Sequence, residues 1–212
     1  VGLNSLCSNT TGTKNIAVGT NALERNTTAS NNVAVGFDAM LKTTTGCRNV
    51  GVGESVLKEN TTGVCNTAVG AFTFEQNSTG DFNTAIGMLA LNRNTTADNN
   101  TAVGFQTLTT STTANFNTAV GMEAGKLVTT GSQNTFLGFR AGDLNTTASN
   151  NTAVGTNALG ATTTGANNTA VGHSALVDNQ TGTQNTAVGK GSLASVTTGS
   201  NNVAIGEGSG SN

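Results

Sequence analysis

A glycine stands at every seventeenth position from Gly2 to Gly206, with no insertion or deletion between them. A strict period of this length marks a repeat architecture, in which each repeat is one unit stacked on the next. Counted from its first Asn, the repeat reads N-T-A-V-G-x-x-A-L-x-x-N-T-T-G-x-x. Position one is Asn in all twelve repeats: Asn15, Asn32, Asn49, Asn66, Asn83, Asn100, Asn117, Asn134, Asn151, Asn168, Asn185 and Asn202. Position fourteen is Thr at twelve successive sites, from Thr11 to Thr198. Position four is always Val, Ile or Leu, and position two is always Thr, Val or Ile.

The charges keep the same register. All nine basic and eleven acidic side chains fall at positions six, seven, ten, eleven, sixteen or seventeen. These slots form three adjacent pairs, which predict three solvated corners per repeat. Between them lie three buried or laddered segments: positions one to five, eight and nine, and twelve to fifteen.

"NTAVG" is short and rich in β-branched residues, which predicts a strand of four or five residues. Thr, Asn and Gly recur too often for helix interiors. Seventeen residues are too few for a helical hairpin but suffice for one coil of a solenoid with short sides. The expected fold is therefore all-β: a parallel β-solenoid, roll or helix of about twelve rungs, forming a single repeat domain over residues 1–212. Equivalent residues then stack about 4.8 Å apart, giving a rod on the order of 60 Å long. Stacked Asn side chains at position one form an amide ladder. Gly at position five turns the corner after the strand.

Departures from the consensus point to a packed interior. Leu at position nine is replaced by Gly125 and Gly142 in successive repeats. Phe136, where Ala normally stands at position three, is expected to fill the vacated volume, as a close-packed core requires. Leu127 and Leu144, two residues after each Gly, are expected to share the inward face by extended-chain parity. Positions three and nine then face one core, and Val at position four points outward. A strand apolar on both faces predicts burial of the second face against other chains. The expected assembly is a homo-oligomer, a trimer wound about a common axis.

The phrases "NNVAVG" (31–36), "NNTAVG" (99–104 and 150–155) and "NNVAIG" (201–206) resemble the "NxVAIG" phrase in head domains of trimeric autotransporter adhesins. The longer phrase "NTAVGxxALxxNTTGxxN" is similar to repeat tracts in phage tail-fibre proteins and related bacterial surface proteins. The resemblance covers the chain and implies a trimeric, extracellular, non-enzymatic shaft or head segment used for attachment to a cell-surface receptor or glycan. Adhesin heads repeat at shorter and less regular intervals, so their roll geometry is not carried over. The chain opens without Met, in mid-phrase, consistent with an excerpt of a longer fibre.

Other chemistries find little support. A net charge of −2 offers no attraction to nucleic acid or anionic membranes. No apolar run reaches the ~20 residues of a membrane span, and no signal peptide is visible. His173 stands alone, and no nucleophile–base pattern, phosphate loop or metal-ligand spacing recurs, so no enzyme activity, cofactor or metal is expected. Cys7, Cys47 and Cys65 are read as free thiols, although a bridge between Cys47 and Cys65, one rung and one step apart, is geometrically conceivable. Seven N-x-[ST] triplets, beginning at Asn9, Asn26, Asn60, Asn77, Asn94, Asn145 and Asn179, matter only on a glycosylating secretory route.

Two surface features carry candidate function. Position six reads Met88, Phe105, Met122 and Phe139 in four successive rungs, with Phe82 and Phe116 at position seventeen of the rungs below Met88 and Met122. Stacked, they form an apolar strip about 15–20 Å long, either a partner site or a subunit interface. The Thr ranks raise ice binding as an alternative, set against "NTTG" as a turn whose side chains bond the local backbone. A third reading is a self-stacking extracellular filament subunit, since neither end shows an evident cap.

Overall fold

The structure, a computed structural model, describes residues 1–211. Its strands are β1 (Ile16–Val18), β2 (Val33–Val35), β3 (Val50–Val52), β4 (Thr67–Val69), β5 (Thr84–Ile86), β6 (Thr101–Val103), β7 (Thr118–Val120), β8 (Thr135–Leu137), β9 (Thr152–Val154), β10 (Thr169–Val171), β11 (Thr186–Val188) and β12 (Val203–Ile205). They form one twelve-stranded sheet in sequence order. Every pairing is parallel and joins residues seventeen apart, as in Thr101↔Thr118, Ala102↔Ala119 and Val103↔Val120. Among the described residues there is no helix. The fold is the parallel β-solenoid that the period implies, with one coil per repeat.

The strands are three residues long rather than four or five: position one hands its N–H to a side chain, and position five, whose N–H still bonds the preceding rung, leaves the extended backbone region. At position one the N–H turns to a side chain: Asn117 N–H donates to Asn100 Oδ1 at 2.9 Å. At position five the backbone adopts φ between +117° and +143°. Only Gly enters that region without strain. A second constraint acts at the same place. A Cβ built on Gly104 would lie 2.6 Å from the Gly121 carbonyl oxygen of the next rung. Backbone bonding between rungs continues outside the sheet, through pairs such as Leu91 N–H to Thr107 O at 3.0 Å and Thr95 N–H to Thr112 O at 3.1 Å.

The core is a column of small and aliphatic side chains. Ala at position three and Leu at position nine are buried along it, and Val at position four is not buried in any rung. Position eight adds a further buried row, mostly Ala. Phe136 lies between the two rungs that lack Leu, and Cβ atoms built on Gly125 and Gly142 would come within 2.8 and 2.4 Å of its ring. It therefore occupies both vacancies. Another exchange of volume escaped the sequence: Met40 at position nine reaches the space above Gly51, where Ala stands in most other rungs, and a Cβ there would meet Met40 Cε at 3.0 Å.

Leu127 and Leu144 do not share this role. Leu127 is half-buried and Leu144 is 41% exposed. Parity fails because position nine is left-handed, with φ of 57° at Gly125 and 62° at Gly142. The same conformation recurs at Leu91 (49°) and Leu108 (48°), and at positions seven and seventeen, as in Gln106 (54°) and Asn99 (58°). Non-Gly residues seldom adopt it. Here the rung-to-rung bonds and the buried Leu side chains hold it in place.

The Asn row is a ladder of a more specific kind than stacked amides. Each Oδ1 accepts the Asn N–H of the next rung, while Nδ2 crosses the coil to the carbonyl at position fifteen, as in Asn100 Nδ2 to Ala114 O at 2.8 Å. Direct amide-to-amide contacts occur at some steps, such as Asn134 Nδ2 to Asn117 Oδ1 at 3.1 Å. Asn100→Ala would strand the Asn117 N–H and the Ala114 carbonyl. An unpaired buried group costs about 1–3 kcal/mol, so the variant should lose about 2–3 kcal/mol in a urea titration; Ser at the same site, with an oxygen too short to reach both, should recover little.

Candidate functional site

The six candidate side chains at positions six and seventeen all reach the surface. Phe82 and Phe116 are each 58% exposed, and Met88, Phe105, Met122 and Phe139 lie between 36% and 46%. The cause is local. Gly at position five ends the strand with a positive φ, and position six follows at an unburied corner. Position seventeen precedes the inward Asn and is left-handed. The two rows flank the outward side of the strands, where positions two and four present Thr and Val. Ile86, Val120 and Leu137 at position four are themselves 36–40% exposed, so the apolar surface extends from the strip onto the sheet. Phe37 belongs to the same row at position six but is separated from the strip by Glu54 and Ala71.

Beside this strip lies a charged cluster that the sequence did not single out. Glu123 accepts from Lys126 Nζ at 2.9 Å and from Arg140 Nε at 2.6 Å, and Arg140 stacks on the Phe139 ring at 5.2 Å from its centroid. The charge pattern predicts a solvated corner at position seven, yet Glu123 and Asp38 are buried. Their partners explain the difference: Asp38 binds Lys58 at 3.0 Å, and that hydrogen bond raises the lysine above its ordinary value. Paired carboxylates tolerate a site that an isolated one would not. Spacing could have signalled the cluster, since acid and base stand three apart in one rung with a second base seventeen residues further on.

The hydrogen bond from Lys126, followed by that from Arg140, holds Glu123 below the ordinary carboxylate range. Folding therefore favours its ionised form. The stabilisation is complete above the unfolded value, about 4.3 for Glu, and is lost as pH falls through the lower folded-state value. Glu123→Gln should narrow the difference in Tm between pH 6 and pH 3, with the two proteins converging at the acid end.

Thr at position fourteen is exposed in every rung, and among the described residues none of its hydroxyls has a hydrogen-bond partner within the chain. The preceding Thr differs: Thr95 Oγ1 donates to Thr112 O of the next rung at 3.1 Å. Asn at position twelve closes the local turn in most rungs that carry it, as in Asn60 Nδ2 to Gly63 O at 3.1 Å, whereas both side-chain polar atoms of Asn145 lack a partner. The turn reading thus holds for the Asn, whereas the first Thr bonds between rungs and the second faces water.

The remaining candidates are dispersed. Cys7, Cys47 and Cys65 are free thiols, although Cys65 N–H donates to Cys47 O at 3.0 Å. His173 is exposed at its corner. Among the described residues no group of three or more His, Cys, Asp or Glu side chains converges as a metal site, and no helix is long and apolar enough to cross a membrane. Comparison with known proteins found no matching family model, no similar curated protein and no similar solved structure.

Proposed function

We propose that this chain is a structural segment of an extracellular fibre, a shaft or head that assembles as a homotrimer and holds its variable corners out to a cell-surface receptor or glycan. The observation that carries the reading is the outward side of the sheet. Val, Ile or Leu at position four is unburied in every rung, and the Met and Phe strip borders it. A second chain laid along that side would cover a continuous apolar band, and a third would close the assembly. The stacked backbone bonds run parallel to the rod axis, which suits a part that transmits load.

Native mass distinguishes the outcomes. The expected value is three times the 21.1 kDa chain, and Phe105→Asp with Phe139→Asp should drive the assembly toward single chains. A stable 21.1 kDa species for the unaltered chain contradicts the assembly. A trimer that survives both substitutions but no longer attaches to cells moves the strip from interface to receptor site.

The unbonded Thr rank at position fourteen favours a second reading, an ice-binding surface. Flat ranks of free hydroxyls at regular spacing suit contact with ordered water. Position thirteen spends its hydroxyls on the neighbouring rung, which leaves one free rank at this corner. The fibre reading expects no thermal hysteresis; clear hysteresis that Thr96→Lys abolishes would replace it.

A further inference from the structure

The backbone N–H at position fifteen is bonded in two ways along the stack. In the rungs of Asn77 and Asn94 the position-twelve carboxamide accepts it: Gly80 N–H donates to Asn77 Oδ1 at 3.0 Å, and Ala97 N–H to Asn94 Oδ1 at 2.9 Å. Where position twelve is Thr43, Val128 or Thr162, the N–H turns to the position-thirteen carbonyl of the next rung. Gly46 reaches Thr61 O at 3.3 Å, Gly131 reaches Thr146 O at 3.4 Å, and Gly165 reaches Gln180 O at 3.3 Å. The rung of Ser111 does neither. Ala114 is fully buried, and among the described residues its N–H has no acceptor. Ala148 N–H is also unbonded, but Asn145 stands three residues before it with a free carboxamide oxygen; Ser111 offers no such group.

A second polar group in the same turn lacks a partner. Ser111 is fully buried, and its Oγ makes no hydrogen bond. Serine ends at its hydroxyl, where Asn continues to an amide oxygen and nitrogen. The two unbonded groups therefore flank the place that a carboxamide takes in the rung below. Asn94 and Val128, the fully buried neighbours of Ser111 in its row, enclose that place from either side. Where Asn follows Asn, the upper carboxamide also reaches down the row, as in Asn77 Nδ2 to Asn60 Oδ1 at 2.8 Å. By the same register Asn94 Oδ1 stands below Ser111. It accepts from Ala97 N–H alone, and a carbonyl oxygen has two lone pairs.

We propose that the turn at Ser111 binds one ordered water, which accepts from Ala114 N–H, shares a hydrogen bond with Ser111 Oγ and donates to Asn94 Oδ1. The water takes over both tasks of the carboxamide that the row otherwise carries. About three polar partners are usual for a buried water. The partners select a neutral ligand that both gives and accepts hydrogen bonds. A cation would face the Ala114 N–H and an anion the Asn94 oxygen, each with its charge buried and unpaired. Size sets the other limit. A water's share of about 30 Å³ is close to the volume by which Asn exceeds Ser, so nothing larger fits. Thr and Val fill part of that volume with methyl groups, which agrees with the different route taken by Gly46, Gly131 and Gly165.

Crystals of the full chain that diffract well enough to order buried solvent test the site. The expected result is one isolated density peak within hydrogen-bond distance, about 2.7–3.2 Å, of Ala114 N, Ser111 Oγ and Asn94 Oδ1. In solution the same water should give the Ala114 amide proton cross-peaks to the water line that are opposite in sign between NOESY and ROESY spectra. Ser111→Asn should abolish both signals, its Oδ1 accepting from Ala114 N–H in place of the water. Ser111→Thr, which places there the residue that Thr43 and Thr162 carry, serves if the Asn variant misfolds. It too should lose the peak, with Ala114 N–H turning to Thr129 O. No peak, an Ala114 N–H bonded to Thr129 O in the unaltered chain, or a peak that survives beside either new side chain would overturn the proposal.

Discussion

Phe136→Ala is expected to destabilise the protein by about 3–5 kcal/mol, the usual cost of emptying a buried aromatic site. The particular setting places it at the upper end. The ring is fully buried and stands over two rungs that lack their Leu, at Gly125 and Gly142. Truncation leaves three adjacent small residues, with Leu108 as the aliphatic side chain nearest to Gly125. The decisive variant combines Phe136→Ala with Gly125→Leu and Gly142→Leu, which returns both rungs to the consensus. Position nine is left-handed whether it holds Leu or Gly, so the added side chains enter a conformation that Leu108 and Leu159 already adopt. The triple variant should regain most of the lost stability in a urea titration. Gly142→Leu alone should destabilise, since its Cβ would lie 2.4 Å from the Phe136 ring. A triple variant no more stable than Phe136→Ala would show that the ring does not fill the two vacancies.

Gly104→Val is the second substitution expected to be severe, at ~3 kcal/mol or more. Two penalties coincide there. The backbone has φ of 135°, and the new Cβ would press on the Gly121 carbonyl at 2.6 Å. Relief requires the two rungs to separate, which breaks the flanking pairings of β6 with β7. Gly160→Ala is the control, with ordinary backbone and room for a methyl, and should change stability by less than about 1 kcal/mol. Thermal unfolding of the two variants side by side separates glycine as a geometric requirement from glycine as an open space.

Much of this was legible in the sequence, and the reason is the stacking itself. When every residue sits above its equivalent, a buried row shows as a column without charge, and an Asn ladder shows as an unbroken column of Asn. Rows one, three, eight and nine could be read in that way, as could the exchange of Phe136 for two Leu residues. The left-handed backbone at positions seven, nine and seventeen could not. Leu, Gln and Phe bear no mark of that conformation, because tertiary contacts impose it. The inward placement expected of Leu127 and Leu144 failed for that reason, since parity holds only along an extended chain. The Glu123 cluster was also missed. It depends on unlike residues in neighbouring rungs, where the column pattern carries no signal. The residues from Phe82 to Phe139 were legible as surface features because they recur at two of the corner positions, six and seventeen.

Equivalent residues, seventeen apart in sequence, stand one rung apart along the stack. Pairs of spin labels on the exposed Thr row measure this directly, after Cys7, Cys47 and Cys65 are replaced by Ser. With one label at position 45 and the second at 113, 147 or 181, the pairs lie four, six and eight rungs apart. Pulsed dipolar spectroscopy should give separations near 19, 29 and 38 Å, rising by about 4.8 Å per rung. Distances that fail to grow in proportion to rung number would contradict the parallel in-register solenoid.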